Sequence, residues 1–318
     1  MEIVVTGSIA VDYIMSFPGR FRDYILANED KISLSFLVDE MHRVRGGTAA
    51  NIAYSLALLG ERPRIMATAG EDFADYRRFL EASGVDTSAL KSINGVYTAS
   101  FFVSTDIEQN QIATFYAGAM AYAGDLSFHD LADRPEWAII SPNDPRAMLR
   151  YPRECRELGI HYIYDPSQQI ARMEADALLD GLHGADILIV NDYEYELLKK
   201  KTGLDDETLR AEVRQALIVT RGPDGSTIWA EGRRWDLPVA VPKAEVDPTG
   251  VGDAYRAGLL KGLALGLPWP VCGRIGALAA AYVIEKPGPQ SHHYTLGEFV
   301  RRYRETFGED AFTEAMQA

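Results

Sequence analysis

Short apolar runs, each stopped by glycine or a polar cluster, alternate along much of the chain with segments whose apolar residues recur every three or four positions. Ile3 to Val5 is a continuous apolar run ending at Gly7, the pattern of a first buried strand. Residues 13–45 break the rhythm. They mix Tyr13, Phe17, Phe21, Tyr24 and Phe36 with many charges, and short alternating pieces such as Ser33-Leu34-Ser35-Phe36 predict hairpins or an exposed flap. A helix follows: Gly46-Gly47-Thr48 opens it, Ile52, Leu56 and Leu59 form one stripe, and Gly60 stops it. Arg64 to Ala69 predicts a strand, and Asp75 to Ala82 a helix ended by Gly84. Segment 95–120 is strand-like again through Val96–Val103 and Gln111–Tyr116.

After residue 135 the alternation becomes regular. Strands at Trp137–Ile140, His161–Tyr164, Ile187–Val190 and Leu217–Thr220 are separated by helical stretches, and helices close the pattern at Asp253–Leu265 and Val271–Ile284. Strands alternating with helices at this spacing predict a parallel sheet covered by helices on both faces. With no internal repeat, low-complexity tract or Pro/Gly linker, residues 1–318 read as one α/β domain with a small β lid from insertions near 13–45 and 95–120.

Charge narrows the chemistry. The 46 acidic residues outnumber the 32 basic ones, for a net charge of −14. That field repels phosphate backbones and argues against a nucleic-acid partner, yet local amide dipoles can still hold a small anion. Cys155 and Cys272 cannot build a disulfide framework and predict reduced thiols in a cytoplasmic protein. The N-terminus has no signal-peptide pattern. The longest apolar stretch, Ile275–Ile284, is about half the length a bilayer span requires, so no membrane partner is expected. The six histidines show no zinc-type spacing, and no Gly-x-Gly-x-x-Gly follows the first strand, which disfavours a dinucleotide dehydrogenase.

The chemistry concentrates in Asp247-Pro248-Thr249-Gly250-Val251-Gly252-Asp253, followed by Ala257-Gly258. Two glycines bracket Val251 where a helical pattern begins. The first amides of a helix have no internal acceptor and sit at the positive end of its dipole, so this turn forms an anion pocket. Asp253 lies at the same helix start. Phosphoryl transfer to an alcohol needs both elements: donors for the moving group and a base beside the attacking hydroxyl. Gly250, Val251 and Gly252 would supply the first, Asp253 the second.

This string resembles the second signature of the ribokinase-like (PfkB) carbohydrate kinases, Asp-Thr-x-Gly-Ala-Gly-Asp, with Pro248 and Val251 departing from its commonest form. The resemblance covers nearly the whole chain. It implies a three-layer, parallel-sheet ribokinase-like fold, with ATP and Mg²⁺ as cofactors. Arg45-Gly46-Gly47-Thr48-Ala49-Ala50-Asn51 is similar to the family's first signature, which would place Gly46, Gly47 and Asn51 at the substrate. Asp12, placed in the first βα turn, matches the family's sugar-hydroxyl ligand. Asn191 and Glu194 match its Asn-x-x-Glu motif; Glu194 would organise Mg²⁺ through water, and Asn191 would border the nucleotide. Thr220, Gly222 and Gly225 resemble its turn near the ATP phosphates and ribose. Lys286–Gln290 matches loosely the late loop near adenine and a monovalent-cation site, which makes K⁺ a candidate activator. Related enzymes often pair through the flap, so a homodimer through the lid is the candidate assembly.

The family phosphorylates sugars, sugar phosphates or nucleosides, and three features lean toward nucleosides. Ala10 stands where many sugar enzymes carry Asn. Tyr13, Phe36, Phe101, Phe115, Tyr116 and Met120 offer a flap surface suited to a purine. Segments 111–120, 253–258 and 288–290 resemble the family's microbial nucleoside kinases. The expectation is therefore an ATP-dependent nucleoside kinase acting on a 5′-hydroxyl, adenosine first, with Phe115 and Met120 at the base. Two alternatives stand beside it. One is a sugar kinase for ribose, fructose or a sugar phosphate, the last using Arg20, Arg22, Arg43 or Arg45. The other is a catalytically silent nucleotide or nucleoside sensor.

Overall fold

The computed structural model describes residues 1–24 and 34–316. Residues 25–33 of the first expected insertion, Ser33 of the Ser33–Phe36 piece included, lie outside the described residues.

In chain order the strands are β1 (Ile3–Thr6), β2 (Ala10–Ser16), β3 (Glu40–Gly46), β4 (Arg64–Met66), β5 (Thr68–Ala69), β6 (Lys91–Ser92), β7 (Ala99–Thr105) and β8 (Gln111–Tyr116). They continue with β9 (Trp137–Ile140), β10 (His161–Tyr164), β11 (Ile187–Asn191), β12 (Ala216–Thr220), β13 (Ser226–Ala230) and β14 (Arg233–Leu237). The helices are α1 (Thr48–Leu58), α2 (Ala74–Ala82), α3 (Pro145–Leu158), α4 (Ala175–Leu182) and α5 (Asp192–Thr202). After them come α6 (Asp206–Glu212), α7 (Val251–Ala264), α8 (Trp269–Ile284), α9 (Leu296–Phe307) and α10 (Ala311–Ala315).

An eight-stranded sheet runs in the order β14-β13-β12-β11-β10-β9-β1-β4. Its strands from β12 to β4 are parallel, as the alternating pattern predicts, but β13 and β14 pair antiparallel and close one edge. Successive side chains of a strand point to opposite faces, and the core obeys this strictly. Ile187 and Ile189 join a cluster with Leu56, Leu259 and Leu260, while Leu188 and Val190 join one with Met148, Leu178 and Leu198. The sheet is thus the middle of three layers, an α/β architecture. The predicted strand at 64–69 is split: Arg64–Met66 belongs to the large sheet, and Thr68–Ala69 pairs with β6.

The second sheet is the flap, in the order β3-β2-β7-β8. It begins at Ala10 rather than near residue 13, and β2 pairs parallel to β7 over its full length. Asp12 therefore stands on a central flap strand, not in a βα turn. The reason is pairing: partners on both sides, Val44 and Phe101, hold Asp12 extended.

Helices α7 and α8 meet at backbone distance, because a methyl group on Gly258 would fall 2.6 Å from the Gly276 Cα. Gly258→Ala is expected to lower the unfolding free energy by about 1–3 kcal/mol through overpacking, outweighing a helix-propensity gain of about 1 kcal/mol. Chemical denaturation checks this; a midpoint unchanged or raised would mean the helices can part without cost.

Candidate active site

The carboxyl ends of parallel strands are where open α/β sheets present their binding crevices, and the predicted residues collect there. Gly7 and Ser8 follow β1, Pro142 follows β9, Asp165 follows β10, and Asn191 and Thr220 face each other at the ends of β11 and β12. A cavity of about 550 Å³ lies between this edge and the flap. Its walls include Asp12, Gly47, Asn51, Phe115, Met120, Gly250 and Asp253, all singled out from the sequence.

Local backbone chemistry positions each wall. Gly47 has φ +94°, and a Cβ there would lie 2.5 Å from the Ala10 nitrogen and the Ser8 carbonyl oxygen. Only glycine lets β3 turn this close to the start of β2 and enter α1. The first turn of α1 is tied back to the β1–β2 connection: Thr48 N donates to Ser8 Oγ (3.1 Å) and Ala49 N to Ser8 O (3.1 Å). Helix α7 begins at Val251, two residues earlier than its pattern suggests, because Gly250 in the left-handed region (φ +80°) caps it. Its first hydrogen bond of the helical ladder runs from Ala254 N to Gly250 O. The amides of Gly252 and Asp253 thus stay open to the outside, as helix geometry requires. The Val251 side chain turns away and packs with the cluster of α8 and α9.

Asp253 keeps partial contact with solvent at the cavity wall. Asn51 Nδ2 donates to its Oδ2 at 2.8 Å. Burial pushes the Asp253 carboxyl above the ordinary carboxylate range, opposed by the Arg256 guanidinium and the Asn51 amide. Arg256, one helical turn on, is itself held in a buried ion pair with Asp165, with Nε–Oδ2 at 2.5 Å and a hydrogen bond from Nη2 to Oδ1 at 2.6 Å. Across the cavity, Asp12 is pushed up to about 6, first by burial and then by the Asp247 carboxylate. Asp12, Phe101 and Phe115 lie in one register row across β2, β7 and β8, so all three face the cavity together.

The remaining predicted residues stand outside this cavity. Gly46 is buried and gives its carbonyl to the Tyr76 hydroxyl (2.9 Å). Asn191 and Glu194 form a capping box on α5, and Glu194 Oε1 also accepts from Ser167 Oγ at 3.0 Å. Gly222 and Gly225 form a tight turn after β12. Among the described residues no cluster of three metal-binding side chains occurs. A lone, largely buried carboxylate fits a Mg²⁺ held mainly through water and nucleotide oxygens, the hard-cation habit.

Three of the expected flap contacts are corrected. Tyr13 stacks on Phe102 (4.8 Å between centroids) on the opposite flap face. Phe36 packs with Phe17, Phe21 and Tyr24. Tyr116, next to Phe115, points the other way by strand alternation. Among the arginines offered for a sugar phosphate, none lines the cavity: Arg20 and Arg22 pair with Glu108, and Arg45 lies over the Phe79 ring. Sequence reasoning missed Gln168, Gln169 and Arg172 on the wall. The polar run that follows β10 was their only signal. A second cavity of about 520 Å³, between β3 and residues 287–291, is lined by Arg43 and Arg45, two of the arginines offered for a sugar phosphate, and by Gly288 and Gln290 of the late loop. No helix among the described residues is long and apolar enough to cross a membrane.

Comparison with known proteins agrees with this architecture. The pattern of the pfkB family carbohydrate kinases matches residues 3–295. A nucleoside kinase of Methanothermobacter thermautotrophicus is 30% identical over 311 residues, covering 96% of this chain and 97% of that protein. A nucleoside kinase of Methanocaldococcus jannaschii is 28% identical, covering 95% of this chain and 96% of that protein. The solved structure of Burkholderia thailandensis nucleoside kinase in complex with inosine superposes with a TM-score of 0.86 at 36% identity, covering 96% of this chain and 98% of the other. Its complex described as ADP-inosine gives a TM-score of 0.84 at 36% identity over 96% of each chain. With the family signature on α7 and the fold shared from end to end, the chain belongs to the pfkB family of carbohydrate kinases and is a phosphotransferase acting on a hydroxyl acceptor.

Proposed function

We propose that this chain is an ATP-dependent nucleoside kinase, a single kinase unit with the flap as its lid, that phosphorylates the 5′-hydroxyl of a purine nucleoside. The observation that carries the reading is the placement of Asp253 beside the open amides of α7 in a cavity whose far wall is Asp12, Phe101 and Phe115. Asp12, Gly47 and Asn51 hold the ribose, and the carboxylate oxygens of Asp12 accept from its hydroxyls. The phenylalanines and Met120 cover the base. The 5′-hydroxyl gives its proton to Asp253 Oδ1, the oxygen Asn51 leaves open, as its oxygen bonds to the γ-phosphorus and the bond to the ADP oxygen breaks. A carboxyl raised by burial is better matched to that proton than an ordinary aspartate. Of the Gly250–Gly252 amides expected to receive the charge on the transferred group, that of Val251 is already given to Pro248 O (3.3 Å), so Gly250 and Gly252, with the open amide of Asp253, take that part. Asn191, Thr220, Gly222 and Gly225 border the nucleotide. Bound Mg²⁺, held near Glu194 through water, would offset phosphate charge. Closing the flap expels water and suppresses idle ATP hydrolysis. Nucleoside kinases among the relatives, and an ADP-inosine complex in one of them, support the substrate class and the nucleotide.

Adenosine is the nucleoside expected from the sequence. One observation favours inosine as a second reading: Arg172 on the wall offers only donors, which suit the O6 and N7 acceptors of a 6-oxopurine rather than the adenine amino group. A panel of nucleosides and sugars, read as ATP consumed, decides between them, and a preference for ribose or fructose overturns both. Repeating the best reaction with K⁺ in place of Na⁺ tests activation by the monovalent cation. The edge strand β8, exposed along its length with Ile112 and Tyr116, supports pairing of two copies through the flap.

Three substitutions test the roles. Asp253→Asn is expected to lower turnover by about 10²–10⁴-fold while nucleotide affinity, measured by calorimetry, persists. Glu194→Gln is expected to raise the Mg²⁺ concentration at half-maximal rate; an unchanged titration removes its role. Asp12→Asn should stabilise the free protein at pH 8. The Asp12 carboxyl titrates near 6 when folded and near 3.9 when unfolded, so its ionisation costs stability as pH rises across that window. The gain is about 3 kcal/mol well above pH 6 and vanishes below pH 4, read as the difference in Tm between variant and parent against pH.

A further inference from the structure

A chain of buried amides runs away from the base. Asn51 Nδ2 donates to Asp253 Oδ2 (2.8 Å), and Asn51 Oδ1 accepts from Gln290 Nε2 (2.7 Å). The same Gln290 Nε2 donates to the Tyr76 hydroxyl (2.5 Å), and that hydroxyl donates to Gly46 O (2.9 Å), at the end of flap strand β3. Asn51, Tyr76 and Gln290 are all buried, at 5%, 2% and 8% exposure. From this network we infer that Tyr76 and Gln290 are positioning residues that lock the Asn51 side chain in its donor sense toward Asp253.

The logic is one of proton counting. A phenol has a single proton, and the Gly46 carbonyl, which can only accept, takes it. Toward Gln290 the Tyr76 oxygen can therefore only accept, so the NH₂ group of Gln290 must face it. Gln290 Oε1 is left with no partner, so nothing else on that side chain fixes its sense. The NH₂ group then faces Asn51 Oδ1, which turns the Asn51 NH₂ to Asp253. The lock matters because Asn51 could otherwise serve both states of the base. An unconstrained asparagine donates to a carboxylate and flips to accept from a carboxylic acid. Held as a donor, it stabilises only the anion, the form that takes the substrate proton. The same bonds tie that preference to the late loop that carries Gln290 and to the flap root at Gly46.

Other charges face Asp253 and are the same in the parent and in every variant, including Asp12 and Asp165, which themselves titrate near 6 and so contribute equally to each profile. These charges are Arg256 on its own helix, Asp165 after β10 and Glu194 on α5 behind that guanidinium, and Asp12 and Arg172 across the cavity. The inference rests on reading Asp253 as the base. Because a base must be ionised to act, turnover falls as pH drops through its pKa; releasing the lock raises that pKa and moves the fall to higher pH.

The experiment measures kcat and KM against pH for the full chain, for Tyr76→Phe and Gln290→Met, and for each of these combined with Asn51→Ala. Both single variants are expected to move the acid limb of kcat up by roughly half to one pH unit, the loss of part of one charge-assisted hydrogen bond. The alkaline plateau should stay within about twofold, with KM for ATP unchanged. In the Asn51→Ala background neither substitution should shift the limb further. Superimposable profiles for the parent and both single variants overturn the lock, as does a shift that survives without Asn51. If Tyr76→Phe does not fold, Gln290→Met with its Asn51→Ala partner carries the same comparison. Full turnover in Asp253→Asn would instead sink the base itself, independently of either result.

Discussion

A carboxylate largely enclosed by protein, and proposed above to take a proton, is the constraint on which this structure turns. Burial alone would neutralise Asp253. The fold opposes that with the positive end of α7, with a guanidinium one turn below, and with an amide from α1. Two of these supports lie on α7 and the third comes from α1, and their meeting needs the three-layer core. The guanidinium is anchored by its buried ion pair with Asp165. Removing one partner from such a pair leaves an uncompensated buried charge, so the pair binds α7 firmly to the end of β10.

The flap supplies the opposite wall. Its register row Asp12–Phe101–Phe115 sets a carboxylate beside two aromatic faces, the combination a nucleoside needs for its sugar and its base. The other face of the same strands carries the Tyr13–Phe102 stack. One sheet thus divides its aromatics between lining the cavity and holding itself together.

How legible this was in the sequence depends on how local each signal is. The α7 site was legible because glycines, carboxylate and helix start lie within seven residues, and each has a short-range physical meaning. The parallel strands were legible from apolar runs and their spacing. The antiparallel edge β13–β14 was not, because an apolar run does not name its partner. Asp12 was identified but misplaced, since its strand exists only through pairing with segments far along the chain. The flap aromatics could not be sorted: alternation puts Phe115 and Tyr116 on opposite faces, but only the register says which face is inside. Arg256 with Asp165, and Gln290 with Asn51, join residues 91 and 239 positions apart. No local pattern announces such pairs.

The parallel pairing of β2 with β7 also has a bearing on how the chain comes together. A hairpin can close as soon as its turn is made, but two parallel strands must wait for everything between them. Here that interval holds β3, α1, β4, β5, α2 and β6. During synthesis the β2–β3 ribbon emerges long before its neighbour, with an unsatisfied edge that invites foreign strands. Slow, non-local closure of this kind marks the flap as a late step in folding, so the flap wall of the cavity depends on a pairing that can close only after β7 has been made.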